Sequence, residues 1–215
     1  MTAQKKKIKI SYAIPVCNEL NEIQRLIDYL IKESPIRSHD EIIVLYDTAN
    51  GTEEVKEYLD SLTYQDLTYY TYNFDGNFAA MKNYLTSLCN GDWIFQIDAD
   101  EMPSDHLISV LPELVEQYKD LDLLFVPRIN TVEGITQEHI SRWGWNFTND
   151  NWINWPDWQC RIYRKRPGLK WKNKVHETLA GYKLRMALPA EEKWALRHDK
   201  TIERQEKQNE YYNSL

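Results

Sequence analysis

Glycine is scarce in this sequence. Seven occur in 215 residues, at positions 51, 76, 91, 134, 144, 168 and 181, and no two fall within six residues of each other. The dinucleotide-binding G-x-G-x-x-G turn, the Walker A loop and the G-x-S-x-G elbow all need closely spaced glycines, for near approach of backbone to phosphate or for a sharp turn. All three are excluded. Cysteine is scarcer: Cys17, Cys89 and Cys160 are far apart and odd in number. That argues against a disulfide framework or a thiolate zinc site, and reads as three reduced thiols in a cytoplasmic protein. H-E-x-x-H is absent, and no apolar run approaches the roughly 18–20 residues of a membrane span. Positive charge is in deficit, with 26 Lys and Arg against 33 Asp and Glu and a net charge of -7. A protein that coats nucleic acid by counterion release would carry the opposite excess. Lys5, Lys6 and Lys7 precede only a short apolar stretch broken by Lys9, so the N-terminus reads as a strand and not as a signal peptide.

Hydrophobic residues make up 42% and charged residues 27%, the composition of a folded globular chain long enough for one sizeable core. Its first half alternates strand and helix. Residues 7–16 (KIKISYAIPV) have strand composition. Leu20, Ile23, Leu26, Ile27, Leu30 and Ile31 then repeat at helical spacing, with Asn18 as N-cap and Pro35 as stop. The run 41–46 (EIIVLY) predicts a strand buried on both faces. A loop at 47–51 leads to a short helix near 55–62, a strand at 67–72, a helix at 78–88 and a strand at 93–97. Ser104 predicts the cap of a further helix broken near Pro112, before a fifth strand at 123–126. Repeated βα units with short links give an α/β fold, a mainly parallel sheet flanked by helices, whose ligands bind beyond the carboxyl ends of the strands.

The second half differs. Residues 143–158 hold five of the eight tryptophans, Trp143, Trp145, Trp152, Trp155 and Trp158, without helical period. These indoles can frame a cleft that stacks on sugars, or fill space beneath an irregular loop. Residues 161–174 (RIYRKRPGLKWKNK) carry seven basic residues and no acidic one, suited to a diphosphate or an anionic acceptor, or else to a solvated face. Residues 202–212 predict a charged surface helix.

Polar groups gather at three strand ends: Asn18 and Glu19 after the first, Asp47 after the second, and Asp98-Ala99-Asp100-Glu101 after the fourth. In extended backbone Asp98 and Asp100 share a face, and two hard carboxylates at that spacing suit Mg²⁺ or Mn²⁺ with positions left for phosphate oxygens.

IPVCNE at 14–19, the Asp47 loop, NFAAMKNYLTSLCNGDWIFQIDADE at 77–101 and WQCRIYRK…WKNKVHE within 158–177 occur in that order. Together they resemble a family 2 glycosyltransferase of the GT-A fold, over nearly the whole chain. The resemblance implies an inverting transfer from a nucleotide-diphospho-sugar, with divalent metal help. It implies one domain, residues 1–101 forming the nucleotide-sugar half and 102–215 an irregular acceptor-side half. By similarity, Pro15, Asn18, Glu19 and Asp47 line the nucleotide pocket, with Asp98, Ala99 and Asp100 beside them. Lys82 and Asn83 match an Arg-Asn pair of the family; Lys keeps the charge but loses the planar fork.

Leaving-group charge would be neutralised by a metal on Asp100, with Asp98, His176 or His198 completing its shell. Arg161 and its basic neighbours are candidates for the diphosphate. An inverting transfer also needs a base for the acceptor hydroxyl, and Glu177, Asp157 and Glu101 are the candidates. If Asp157 is the base, Pro156 places it in a loop; if Glu177, a bend is needed after His176. The expected partners are a nucleotide-sugar, with UDP as the expected nucleotide, and a glycan or other hydroxyl acceptor, phosphate-bearing ones such as lipopolysaccharide core or a modified DNA base included. A nucleotidyltransferase and a non-catalytic nucleotide-sugar or glycan-binding module are the rival readings.

Overall fold

β1 (Ile10–Val16) and β2 (Glu41–Asp47) are buried at nearly every position, as strands of a parallel sheet covered on both faces must be. The computed structural model describes the backbone of residues 7–214 and the side chains of residues 7–210; Lys5 and Lys6 lie outside it. The first strand starts at Ile10 and not at residue 7. Upstream, the Ile8 and Lys9 N–H groups donate to the carboxylates of Glu116 and Asp92 instead of to a neighbouring strand.

β3 (Leu67–Tyr72) and β4 (Trp93–Gln96) complete a parallel set in the order β3-β2-β1-β4. The chain leaves β1 towards β2 on one side and returns as β4 on the other, which opens a crevice at the carboxyl ends of β1 and β4. β5 (Met102–Pro103) and β6 (Leu123–Glu133) follow. The sheet continues through β7 (Ile153–Arg164), antiparallel to both β4 and β6, and ends beyond β6 with β5 and strands from later in the chain.

α1 (Leu20–Asp28), α2 (Glu53–Ser61), α3 (Phe78–Leu88) and α4 (Asp105–Gln117) cover the sheet. One apolar cluster joins α1, α2 and α4 to one face, the other joins α3 to the opposite face. Asn77 and Ser104 cap α3 and α4 through their side chains. Asn18 is not the cap of α1. The Glu19 carboxylate takes the N–H groups of Cys17 and Asn18 instead. α4 also runs unbroken through Pro112. A proline inside a helix costs roughly 3 kcal/mol, and burial of Leu111, Leu114 and Val115 on the core side of the same turns offsets it.

α5 (Gln137–Trp143) tops the loop between β6 and β7. The tryptophan-rich stretch is strand from Ile153 onward, and Asp157 is not in a loop: it stands opposite Arg128 of β6. The ladder shifts register between Arg128 and Asn130, and such an irregularity is where a strand tolerates a proline such as Pro156. β8 (Lys170–Lys172) and β9 (Thr178–Ala180) form a separate hairpin whose Trp171 and Leu179 are buried in the α3 cluster. β10 (Arg185–Ala187) and β11 (Leu196–Thr201) pair in parallel with β6, and β11 also takes β5. α6 (Ile202–Ser214) closes the described chain. Among the described residues, no helix is long and apolar enough to cross a membrane.

Candidate functional site

The parallel strands deliver their polar ends to one edge. After β1, the Glu19 carboxylate accepts from Cys17 N at 2.8 Å and Asn18 N at 3.0 Å, fixing the turn into α1. Burial pushes the Glu19 carboxyl above its ordinary value, and burial with Glu19 and Asp47 nearby pushes the Cys17 thiol up to about 12. At the end of β2, Asp47 accepts from Ala49 N at 2.8 Å, Phe74 N at 3.3 Å and Asn50 Nδ2 at 2.9 Å. Gly51 closes that loop. A Cβ there would lie 2.2 Å from the Asp47 carbonyl oxygen.

After β4, Glu101 N donates to the Asp98 carbonyl at 2.8 Å, and Asp98 N donates to the Glu101 carboxylate at 3.1 Å. The turn presents Asp98, Ala99 and Asp100 to a cavity of about 500 Å³ that Pro15, Asn18, Glu19 and Asp47 also line. A second cavity of about 410 Å³ lies on the other side, lined by Asp157, Arg161, His176, His198, Lys200 and Trp145 among others. Lys82, Asp98, Asp100, Glu177 and Gln208 line both. The two cavities therefore share a wall of charged side chains. The first draws Glu177, Arg204 and Lys207 from beyond residue 101, so it does not belong to the first half alone.

Electrostatics order this wall. Burial alone would raise the Asp98 carboxyl, but Arg161 at 2.5 Å, with Lys82 behind it, holds it well below the usual range. Asp100 is likewise held low against burial, chiefly by His198, whose Nε2 lies 3.2 Å from Oδ2 while Nδ1 meets Asn130 Oδ1 at 2.8 Å. Burial lowers the Lys200 ammonium. Lys82, with its side chain only 6% exposed, pairs with Glu177 and lies 4.8 Å from the Trp171 ring centre. His176, just before Glu177, takes a left-handed backbone at φ 53°, and supplies the bend that alternation lacked.

Asp157 is gripped from one side. Its Oδ2 accepts from Arg128 Nε at 2.9 Å, Arg128 Nη2 at 2.7 Å and Asn130 Nδ2 at 2.9 Å, whereas Oδ1 accepts from Gln159 Nε2 at 2.7 Å. Burial opposes ionisation, but Arg128 and the amide donors bring the carboxyl below its ordinary value.

Two expected residues are not at either cavity. Glu101 has a fully buried side chain that accepts from Arg128 at 2.9 Å and Arg161 at 2.5 Å, so it has no face for an acceptor. Asn83 ties α3 to β8, donating to the Trp171 carbonyl and accepting from Trp171 N, each at 2.9 Å. Arg161 reaches the second cavity, but its guanidinium is already committed to Asp98 and Glu101. Of the tryptophans, Trp145 lines the second cavity and packs 4.7 Å from Trp143, Trp152 meets Trp155 at 4.9 Å, and Trp158 is 38% exposed.

Sequence reasoning missed Arg128, Asn130, Lys200, Arg204, Lys207 and Gln208. Arg128 and Asn130 share a face of an extended strand, a signal available once β6 is known to pass residue 126. For Arg204 and Gln208 there was none, because α6 is polar over most of its length and no pattern singles out one face.

Among the described residues no group of three or more His, Cys, Asp or Glu side chains is placed to hold a metal ion. Asp100 and His198 form a pair, and a carboxylate with an imidazole suits Mn²⁺ better than Mg²⁺, which takes oxygen ligands, when phosphate oxygens and water supply the remaining positions.

Residues 11–190 match the family described as Glycosyl transferase family 2. An uncharacterized glycosyltransferase, MG060, of Mycoplasma genitalium is 25% identical over 122 residues, 55% of this chain and 41% of that protein. The crystal structure of S. aureus TarS 1-349 in complex with UDP-GlcNAc superposes with a TM-score of 0.60 at 15% identity, covering 90% of this chain and 59% of that one. The same TarS segment in complex with UDP gives 0.59 at 14% identity, over 89% and 60%. That likeness is one of fold, the expected GT-A-like α/β arrangement. This chain spans less than two thirds of each of these proteins.

Proposed function

The chain belongs to glycosyl transferase family 2, and on that premise we propose that it moves a sugar from a nucleotide-diphospho-sugar, a UDP-sugar, to an acceptor hydroxyl with inversion at the sugar carbon. The observation that carries this reading is the shared wall. A single displacement needs the leaving group and the nucleophile on opposite sides of one carbon, and Asp98, Asp100, Lys82 and Glu177 stand between two cavities. The larger cavity, at the strand ends and the β1–β4 switch point, suits the nucleotide. Asp47, Pro15 and Asn18 would face the nucleoside, and Asp100 the diphosphate. TarS structures with UDP and UDP-GlcNAc support the donor class.

Asp157 is the base of this mechanism. It lines the smaller cavity and not the larger. Three donors hold Oδ2 while Oδ1 meets one, which leaves Oδ1 a lone pair for the acceptor proton. Glu177 pairs with the Lys82 ammonium and holds it in place at the wall. Asp100 and His198 would hold Mn²⁺ or Mg²⁺, with Asp98 held nearby by Arg161 and His176 across the acceptor side. When bound, the cation would neutralise charge that develops on the departing diphosphate.

The acceptor is a glycan or another hydroxyl compound, and the basic stretch at 161–174 suits a phosphate-bearing one. Three free thiols fit a cytoplasmic site of action, and we read residues 1–215 as one GT-A-like domain. The test incubates the protein with Mn²⁺, a panel of nucleotide sugars and a mixed glycan extract. Release of free nucleoside diphosphate with label in the glycan is expected. Pyrophosphate release would mean nucleotidyl transfer instead, and binding without product would mean a non-catalytic module.

A further inference from the structure

α6 reaches the larger cavity from the distant end of the chain and adds Arg204, Lys207 and Gln208 to its wall. Arg204 Nη1 donates to Glu22 Oε1 at 2.5 Å; Nη2 lies 3.5 Å from Glu19 Oε1 and 3.3 Å from Asp100 Oδ2. One guanidinium thus meets three carboxylates from the α1 region and the β4 turn. The grip is uneven. The short bond goes to Glu22, which does not line the cavity, and the two long ones, near the limit of hydrogen bonding, go to residues that do. Two cations close to the wall are already matched, Lys82 with Glu177 and Arg161 with Asp98 and Glu101; Lys207 also lines the cavity, but Arg204 is the one that reaches Asp100. A nucleoside diphosphate adds negative charge to a cavity lined by Glu19, Asp47, Asp98, Asp100 and Glu177. It therefore needs a cation near Asp100 whose hydrogen bonds can be redirected, and a guanidinium fork matches phosphate oxygens in pairs.

We propose that Arg204 is a donor-binding residue: on entry of the nucleoside diphosphate its Nη2 leaves Glu19 and Asp100 for diphosphate oxygens while Nη1 stays on Glu22, so that α6 is clamped across the bound donor. The proposal rests on the donor reading given under Proposed function. Titration calorimetry in EDTA, which removes any contribution of a metal, tests it. The probes are whichever of UDP, GDP, CDP and ADP the native protein binds and the corresponding nucleoside. Arg204→Ala should weaken the diphosphate at least about tenfold and leave the nucleoside within about twofold, because only the diphosphate contact is charge-assisted. Arg204→Lys should fall between, with charge but no fork. Unchanged diphosphate affinity in Arg204→Ala overturns the proposal. Equal loss of diphosphate and nucleoside also overturns it and marks a structural anchor. Should Arg204→Ala fail to fold, Arg204→Lys decides on the same comparison: a selective loss of diphosphate affinity supports the proposal, and no loss, or an equal loss of diphosphate and nucleoside, overturns it. If the native protein binds a diphosphate only with Mn²⁺ added, the same comparisons are made in Mn²⁺; if it binds none of the four with or without Mn²⁺, the donor reading itself fails, a result visible before any substitution is made.

Discussion

Replacing Asp157 by asparagine keeps the side chain's shape and removes its charge and basicity. The new carbonyl oxygen would keep the Oδ2 position, where Arg128 and Asn130 supply three donors. The new amide would then face Gln159 Nε2, itself a donor, and that contact is lost until Gln159 turns. The ion pair with Arg128 becomes a cation–dipole contact and the Asn130 bond becomes neutral, a difference of roughly 1–2 kcal/mol in stability. The catalytic effect is larger. A lost general base lowers the rate by about 10²–10⁴-fold, equivalent to ~3–5 kcal/mol of barrier. Because Asp157 lines only the acceptor-side cavity, donor affinity should stay within about twofold of native. The sign of the pH effect follows from its lowered carboxyl. Its contribution to stability is present above the unfolded-state value near ~4 and is lost as pH falls below it. The assay combines transfer rate at saturating donor, donor calorimetry and a thermal melt. Transfer within threefold of native by a folded Asp157→Asn protein would refute the assignment. So would a loss of donor affinity that accounts for the whole rate defect.

Glu177→Gln should behave in the opposite way. It leaves the nearly buried Lys82 ammonium without its carboxylate, so donor affinity and melting temperature should fall while the rate at saturating donor stays within about tenfold; a collapsed rate with intact donor affinity would make Glu177 the base. Asp100→Ala should abolish Mn²⁺ binding by calorimetry and lower transfer by about 10²-fold or more, and native Mn²⁺ affinity in a folded variant would contradict the metal assignment. Asp122, with its side chain 2% exposed, accepts from Lys183 N, Leu184 N and Arg166. Against burial these donors hold its carboxyl low, so its stabilisation is full above about pH 4 and disappears below. The native melting temperature should therefore drop more steeply between pH 5 and 3 than that of Asp122→Asn, and parallel curves would count against the reasoning.

The parallel half was legible because its signals are local. EIIVLY is apolar without interruption and β2 is buried throughout. The helical spacing from Leu20 places Ile23, Leu26 and Ile27 in the core. The strand-end positions of Asp47 and of Asp98-Ala99-Asp100 follow from where those runs stop. What was not legible depends on partners distant in sequence. Pro112 suggests a break until the core packing of its own turns is known. Pro156 suggests a loop until β6 extends far enough to pair Arg128 with Asp157. Asn83 looks like a phosphate contact beside Lys82, but the β8 backbone, 88 residues away, takes both ends of its amide. Glu101 sits next to the metal candidate in sequence, yet its turn buries it between two arginines.

The central claim is that nucleotide and acceptor occupy the two sides of the wall formed by Asp98, Asp100, Lys82 and Glu177. A crystal structure with UDP and Mn²⁺ bound tests it most directly. The account predicts the uracil between Pro15 and Asp47, with the diphosphate at Asp100 and the Asp157 cavity still open. Uracil in the Asp157 cavity, or a diphosphate away from Asp100, would contradict it.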